Sequence, residues 1–305
     1  MAAGRQVGAS PGGAHLPAGR HRVVQCARAA TGRLSVSGRA RRKENRMSWL
    51  TREFKTEKPL VGVVHLLPLP GSPRYGGSLS TVLNAARRSA NTLFDAGFDA
   101  VILENFGDIP FHTDRVEPHV VAIASLLVRE FATRGPCGVN LLRNAAADAL
   151  AAAFAGGGRF IRVNVHTGAV LADQGIIEGR AAATLRYRQS LGSTVRILAD
   201  VRVKHAAPLV PRDPVAEARD CVERGLADGL IITGGRTGEL GDLAAAARLR
   251  RELRGVPVFM GSGVSARTAS QALQAADGII VGTALERTLG VIDARAARAF
   301  VKAAR

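Results

Sequence analysis

The sequence predicts a single closed barrel of eight parallel strands and eight helices, a (β/α)8 or TIM barrel, from near Lys58 to Arg305. Three observations predict it. Short apolar runs rich in Val, Ile and Leu alternate with longer helical stretches, the pattern of strands buried on both faces of a parallel sheet. The runs number eight. Polar residues or glycines recur where each run ends, and such barrels carry their ligand sites at the C-terminal strand ends. An open doubly wound sheet is the alternative; the count and the strand-end polarity favour closure.

Taken in order, the predicted strands are Leu60–His65, Ala100–Glu104, Cys137–Leu141, Phe160–Asn164, Val195–Asp200, Gly229–Thr233, Pro257–Gly261 and Gly278–Gly282. Between them the spacing predicts helices over Leu79–Ala96, Val116–Thr133, Ala145–Ala155, Pro214–Arg224, Asp242–Arg254 and Ala266–Ala276, and a last one near Ala294–Ala303. Asp213-Pro214 and Ser265 are start signals: a short side-chain acceptor satisfies an open backbone N–H, and proline suits the first turn. Gly97, Gly156 and Gly225 follow helical stretches, where a left-handed cap favours glycine.

Hydrophobic residues make up 47% of the chain and aromatics only 4%, which suits a core of small aliphatic side chains. No uncharged apolar run approaches the ~20 residues that span a bilayer. The net charge is +17, of which residues 1–46 supply +9 through nine Arg and one Lys against Glu44. That segment has the composition of a disordered basic tail. Two readings stand: a start placed upstream of a natural Met47, or an organellar targeting peptide. Residues 47–305 form the barrel domain, close to the ~250 residues typical of the fold. The basic residues there are scattered, with no RNA-binding signature or zinc finger, so no specific nucleic-acid partner is expected. Cys26, Cys137 and Cys221 make no metal pattern. They fit a reducing, cytoplasmic setting, with the thiols as small core residues.

Read at the strand ends, the candidate rim is His65, Glu104-Asn105, Asn140, Arg162, Asn164, Asp200 with Lys204-His205, Thr233-Gly234-Gly235, Gly261-Ser262-Gly263 and Gly282-Thr283. Gly261, Ser262, Gly263 and Val264 after strand seven, with Gly282 and Thr283 after strand eight, are the expected phosphate cradle. Glycines let backbone N–H groups approach an anion, and barrels of this kind often bind phosphate there. His65, Glu104, Asp200 and Lys204 are the candidate catalytic groups. A histidine near neutral pKa moves protons, inward carboxylates act as bases or partners of Arg162, and a desolvated lysine can form a Schiff base or pair with an anion. Asn105, Asn140, Arg162, Asn164, Asp173, His205, Thr233 and Gly234 are candidate substrate contacts. No cofactor is indicated. A divalent metal on the histidines and carboxylates stays open, without HxH or HExxH spacing to support it. The Pro- and Gly-rich segment 65–77 is expected to form a lid or wall, and segment 165–179 a long loop over the site.

Taken together, VGVVHLLPLPGSPRY, ILENFGDIPF, GVNLLRNAAADAL, FIRVNVHTGAVLADQGIIEG, LADVRVKHAAPL, LIITGGRTGE, MGSGVSARTA and ADGIIVGTALE resemble the BtpA/SgcQ family over almost all of residues 58–303. The resemblance implies a TIM barrel related to the ribulose-phosphate-binding barrels. It brings no catalytic residues. One branch of the family is associated with photosystem I biogenesis, and another sits among sugar-metabolism genes.

Two functions follow. One is an enzyme acting on a small phosphorylated metabolite, sugar- or nucleotide-phosphate-like. The other is a soluble biogenesis or stability factor for a membrane complex, peripheral to the membrane and without essential catalysis. Homo-oligomerisation is expected at the level of the fold.

Overall fold

The computed structural model describes residues 46–305; residues 1–45, with Cys26 and nearly all of the expected tail, lie outside the described residues. Eight strands form one closed parallel barrel: β1 (Leu60–His65), β2 (Ala100–Glu104), β3 (Cys137–Asn140), β4 (Phe160–Val163), β5 (Arg196–Val201), β6 (Gly229–Ile232), β7 (Val258–Met260) and β8 (Gly278–Val281). Their order is β1-β8-β7-β6-β5-β4-β3-β2, and the ring closes with Leu60 opposite Ile279 and Gly62 opposite Val281. Several strands end one residue earlier than the sequence suggests, so Leu141, Asn164, Thr233, Gly261 and Gly282 stand just beyond the ladder.

The two-residue period of a strand sorts the side chains. Outward residues such as Val64, Leu103, Val139, Ile161 and Ala199 pack against the helices in one large core. Inward residues Val61, Val63, Ala100, Ile102, Phe160, Leu198, Ile231, Phe259 and Ile280 fill the barrel. Gly138 leaves room for the Phe160 ring, since a Cβ there would lie 2.2 Å from it.

Helices α1 (Leu79–Ala96), α2 (Pro118–Phe131), α3 (Ala146–Gly156), α4 (Ala181–Ser190), α5 (Pro214–Arg219), α6 (Leu243–Glu252), α7 (Ala269–Ala275) and α8 (Ala294–Ala304) cover the strands. Asp213 caps α5 as expected, accepting from Val215 N–H at 3.2 Å. Ser265 does not cap α7: it turns back onto Thr268, and α7 begins four residues later than Ser265. Gly97 is the left-handed cap of α1, at φ 97°. After α3 that role falls to Gly157 rather than Gly156. Gly156 instead lets α3 approach α2, where a Cβ would lie 2.7 Å from Ser125 O. Gly225 ends a π-helical turn with ordinary right-handed geometry.

The stretch before β1 forms a helix, Arg46–Phe54. Its Trp49, Leu50 and Phe54 are buried with the lower inward layer of the barrel. Phe54 meets Phe160 and Phe259 edge-on at 5.5 and 6.3 Å between ring centroids. The helix plugs the end of the barrel opposite the strand C-termini.

Segment 165–179 is not a loop. Ala169–Ala172 and Gly175–Glu178 form an antiparallel hairpin, and Ala206–Pro208 adds a third strand. These strands are short and their partner comes from a distant stretch of chain, so local pattern does not reveal them. Segment 65–77 is an irregular wall, pinned by Leu69 N–H to Asp108 at 2.7 Å and by His119 Nε2 to Pro70 O at 2.6 Å.

Candidate functional site

Continuing each inward register upward replaces apolar side chains with polar ones. Val61 and Val63 lead to His65, Ala100 and Ile102 to Glu104, Phe160 to Arg162, and Leu198 to Asp200. The same alternation that fills the barrel therefore gathers the candidate residues at its mouth.

His65 lies between two carboxylates. Its Nδ1 is 2.9 Å from Glu286 Oε2 and its Nε2 is 3.7 Å from Glu104 Oε1. The Phe106 ring covers it at 4.7 Å. Glu104, 2% exposed, accepts from Asn140 Nδ2 at 2.6 Å. Burial alone would raise its pKa. The positive charge of His65, Lys204 and Arg162 and the Asn140 hydrogen bond outweigh burial and hold the carboxyl below its ordinary range.

Arg162 and Asp200 form a bidentate pair with both N–O distances at 2.9 Å. Asn164 Nδ2 donates to the same Asp200 carboxylate at 2.9 Å. All three are buried. Arg143, also buried, donates to the backbone carbonyl of Lys204. Burial pushes the Lys204 ammonium below the ordinary lysine range; Arg162 and Arg143 push the same way, and Glu104 and Asp200 oppose. The ammonium lies 6.0 Å over the Phe106 ring.

A cleft of about 240 Å³ joins these groups to the glycine loops. One side is His65, Glu104, Arg162 and Lys204; the other is Gly261–Ser265 and Gly282–Ala284. Gly263 holds φ 67°, and a Cβ there would run into the backbone of Glu239 and Leu240 at 2.1 Å. The Ser262 hydroxyl is already engaged: it accepts from Gly234 N–H at 2.6 Å and donates to Glu239 O at 3.0 Å. Both hydrogen-bonding roles of this hydroxyl are thus filled within the protein.

Other candidates lie apart from the cleft. Asn105 ties Asp108 to Leu142 N–H. Thr233 donates to Arg202 O at 2.9 Å. Asp173 sits exposed at the hairpin tip and bonds Gln174. His205 is exposed, 2.9 Å from Thr237 Oγ1. Asn164 lines a second, more apolar cleft of about 320 Å³ beneath the hairpin, together with Asp200, so the Arg162–Asp200 pair stands between the two cavities. Sequence reasoning missed Arg143, Glu286, Phe106 and the cleft-lining Thr237 and Gly238; Glu286 opens a short strand, Glu286–Thr288, paired antiparallel with Val291–Ile292, and the others lie in loops past the barrel strands. The LLRN and GTALE stretches were the signal for Arg143 and Glu286. Among the described residues no group of three or more His, Cys, Asp or Glu could hold a metal ion.

The chain is 45% identical over 259 residues to the photosystem I biogenesis protein BtpA of a Synechocystis species, covering 83% of this chain and 90% of that protein. It is 47% identical over 234 residues to an uncharacterized protein of Pyrococcus furiosus, covering 75% and 86%. In structure it is similar to (S)-3-O-geranylgeranylglyceryl phosphate synthase from Thermoplasma acidophilum, solved with its substrate sn-glycerol-1-phosphate. That likeness has a TM-score of 0.52 at 16% identity, covering 85% of this chain and 98% of that one, and speaks to the barrel fold. The sequence pattern of the BtpA family matches residues 56–305, and the chain belongs to that family.

Proposed function

We propose that the protein is an enzyme acting on a small phosphorylated metabolite, sugar- or nucleotide-phosphate-like. The phosphate rests on the backbone of Ser262–Val264 and Gly282-Thr283, since the Gly261 N–H expected in this cradle already donates to Ile232 O at 2.8 Å, and the reacting end points toward His65, Glu104 and Lys204. Asp200 acts by holding Arg162 in place. The observation that carries this reading is the single cleft in which the two glycine loops face buried cations and a depressed carboxylate. Backbone N–H groups and fixed cations are the groups that bind phosphate, and carboxylate, imidazole and amine move protons or attack carbon. The test is a thermal-shift panel of phosphorylated sugars and nucleotides, each beside its unphosphorylated parent and inorganic phosphate. A ligand at one hundred times its Kd stabilises by about 2.7 kcal/mol. One ester that stabilises far beyond phosphate alone is the expected result. A flat panel with well-folded protein would sink the reading.

A second reading is favoured by the 45% identity to a protein named for photosystem I biogenesis. Here the barrel serves a membrane complex from outside, since no helix of the described residues is long and apolar enough to cross a membrane. It predicts co-sedimentation with anionic membranes that weakens as salt rises. Protein that stays in the supernatant at low salt counts against it.

A further inference from the structure

We infer that Lys204 is a covalent catalyst that forms an imine with an aldehyde or ketone carbonyl of the phosphorylated ligand. The inference rests on the reading of the cleft as a phosphate-ester site and narrows the substrate to a carbonyl-bearing phosphate.

Composition gives the first argument. The chain has 42 basic residues, and its lysines are Lys43, Lys55, Lys58, Lys204 and Lys302. Arginine holds nearly every other basic position, including Arg143 and Arg162 beside the cleft. A guanidinium would serve an anion at least as well, with two parallel donors. What arginine cannot do is lose its proton and attack carbon. The one lysine lining this cleft is therefore placed where amine chemistry, not charge alone, distinguishes the residue.

Geometry gives the second. Among the described residues the Lys204 ammonium makes no hydrogen bond and no ion pair within 4 Å; its neighbour is the face of Phe106. By contrast Lys58 is tied to the carbonyls of Leu273 and Ala276, a structural use. The backbone that presents Lys204 is held firmly. Arg202 and His205 bracket it at φ 59° and 57°, a region that side-chain-bearing residues seldom adopt. Thr233 Oγ1 fastens Arg202 O, Gly235 O accepts from His205 N–H at 3.0 Å, and Arg143 fastens the carbonyl of Lys204 itself. An amine with open valences on a fixed, strained loop is the arrangement of a nucleophile. Burial and the neighbouring guanidinium groups favour its neutral form, as covalent lysines require.

The step balances within the cleft. Glu104, held as carboxylate but beyond 4 Å of Nζ, takes a proton from the ammonium through one bridging water. The freed Nζ lone pair bonds to the carbonyl carbon, the C=O π pair moves to oxygen, and that oxygen takes the proton from Glu104. The carbinolamine nitrogen, still cationic, returns one proton to Glu104; Glu104 passes it to the hydroxyl, which leaves as water as the nitrogen lone pair forms the C=N bond. Amine, carbonyl and one proton thus give a protonated imine and water, with no change in oxidation state.

The experiment is reductive trapping on the full chain. Dihydroxyacetone phosphate, glyceraldehyde 3-phosphate and ribulose 5-phosphate are each incubated with sodium cyanoborohydride, followed by intact mass and peptide mapping. Thermal shift of the same esters is read in parallel without reductant. The expected adduct adds the mass of the carbonyl compound less one oxygen, maps to Lys204 and is absent from Lys204→Arg and Lys204→Met. It falls at least about tenfold, the equivalent of one charge-assisted hydrogen bond, when the sugar lacks its phosphate. Glu104→Gln slows trapping while keeping the thermal shift. Esters that stabilise the protein yet leave Lys204 unmodified overturn the imine and spare the phosphate reading. Labelling of Lys55, Lys58 and Lys302 as strong as that of Lys204 also overturns it. Esters that neither stabilise nor label sink the phosphate reading and the imine with it.

Discussion

Gly282 lies beside His65 at the ends of the neighbouring strands β8 and β1, so closely that a Cβ at position 282 would lie 2.7 Å from His65 Cε1. The imidazole is held by Glu286 at 2.9 Å, and Val63 Cβ would lie 3.0 Å from the added carbon. Gly282→Ala is expected to keep the fold and to weaken phosphate-ester binding by about tenfold, the worth of one displaced hydrogen bond. Titration by thermal shift measures it. Unchanged affinity would mean that neither the imidazole nor the loop at Gly282 faces the ligand.

Asp200→Ala leaves the Arg162 guanidinium buried without its carboxylate. Removing one partner of a buried pair costs about 3–5 kcal/mol. Urea unfolding is expected to show a loss of this size. A loss below about 1 kcal/mol, the worth of a surface pair, would show that the pair is not dry.

Glu104 gives a pH dependence whose sign is fixed. Its folded-state pKa lies below the ordinary value of 4.5, so the unfolded chain binds the proton more readily. The resulting stability is present in full above pH 4.5 and is lost as pH falls through the depressed value. Wild type and Glu104→Gln should therefore differ by a constant amount at neutral pH and converge on acidification. A gap that widens on acidification would reverse the assigned direction.

Trp49→Ala in the plugging helix empties a site whose side chain is 4% exposed. A cost of about 3–5 kcal/mol is expected for so large a truncation. Ligand affinity should hold, because the change is at the far end of the barrel. A loss of affinity equal to the loss of stability would show that the mouth depends on the plug.

Burial pushes the Cys137 thiol up to about 12. Its thiolate is therefore almost absent at pH 8, and the native protein should leave Cys137 unmodified by a disulfide reagent until denaturant is added. Rapid modification of the native state would contradict the buried placement.

The barrel was legible because parallel strands covered on both faces read as unbroken apolar runs, and because an inward register that turns polar at its end leaves a mark in the sequence. His65, Glu104, Arg162 and Asp200 were found by that mark. Glu286 and Arg143 were not, since a turn and a three-residue strand are too short to show a period, and only the folded chain brings them to His65 and Lys204. Asn105, Thr233 and Ser262 show the reverse. Their strand-end positions are right, yet their side chains fasten one loop to another. Position along a strand indicates which residues reach the mouth, but hydrogen bonding decides which remain open to a ligand.

The helix Arg46–Phe54 stoppers the barrel from below with Trp49, Leu50 and Phe54. With Phe160, Phe259 and the other inward side chains packed above it, the mouth is a cul-de-sac, and a ligand that enters past the glycine loops leaves by the same doorway. Under the proposed enzyme reading, spent product has to vacate the threshold before fresh substrate crosses it, and accumulating product becomes a rival for entry.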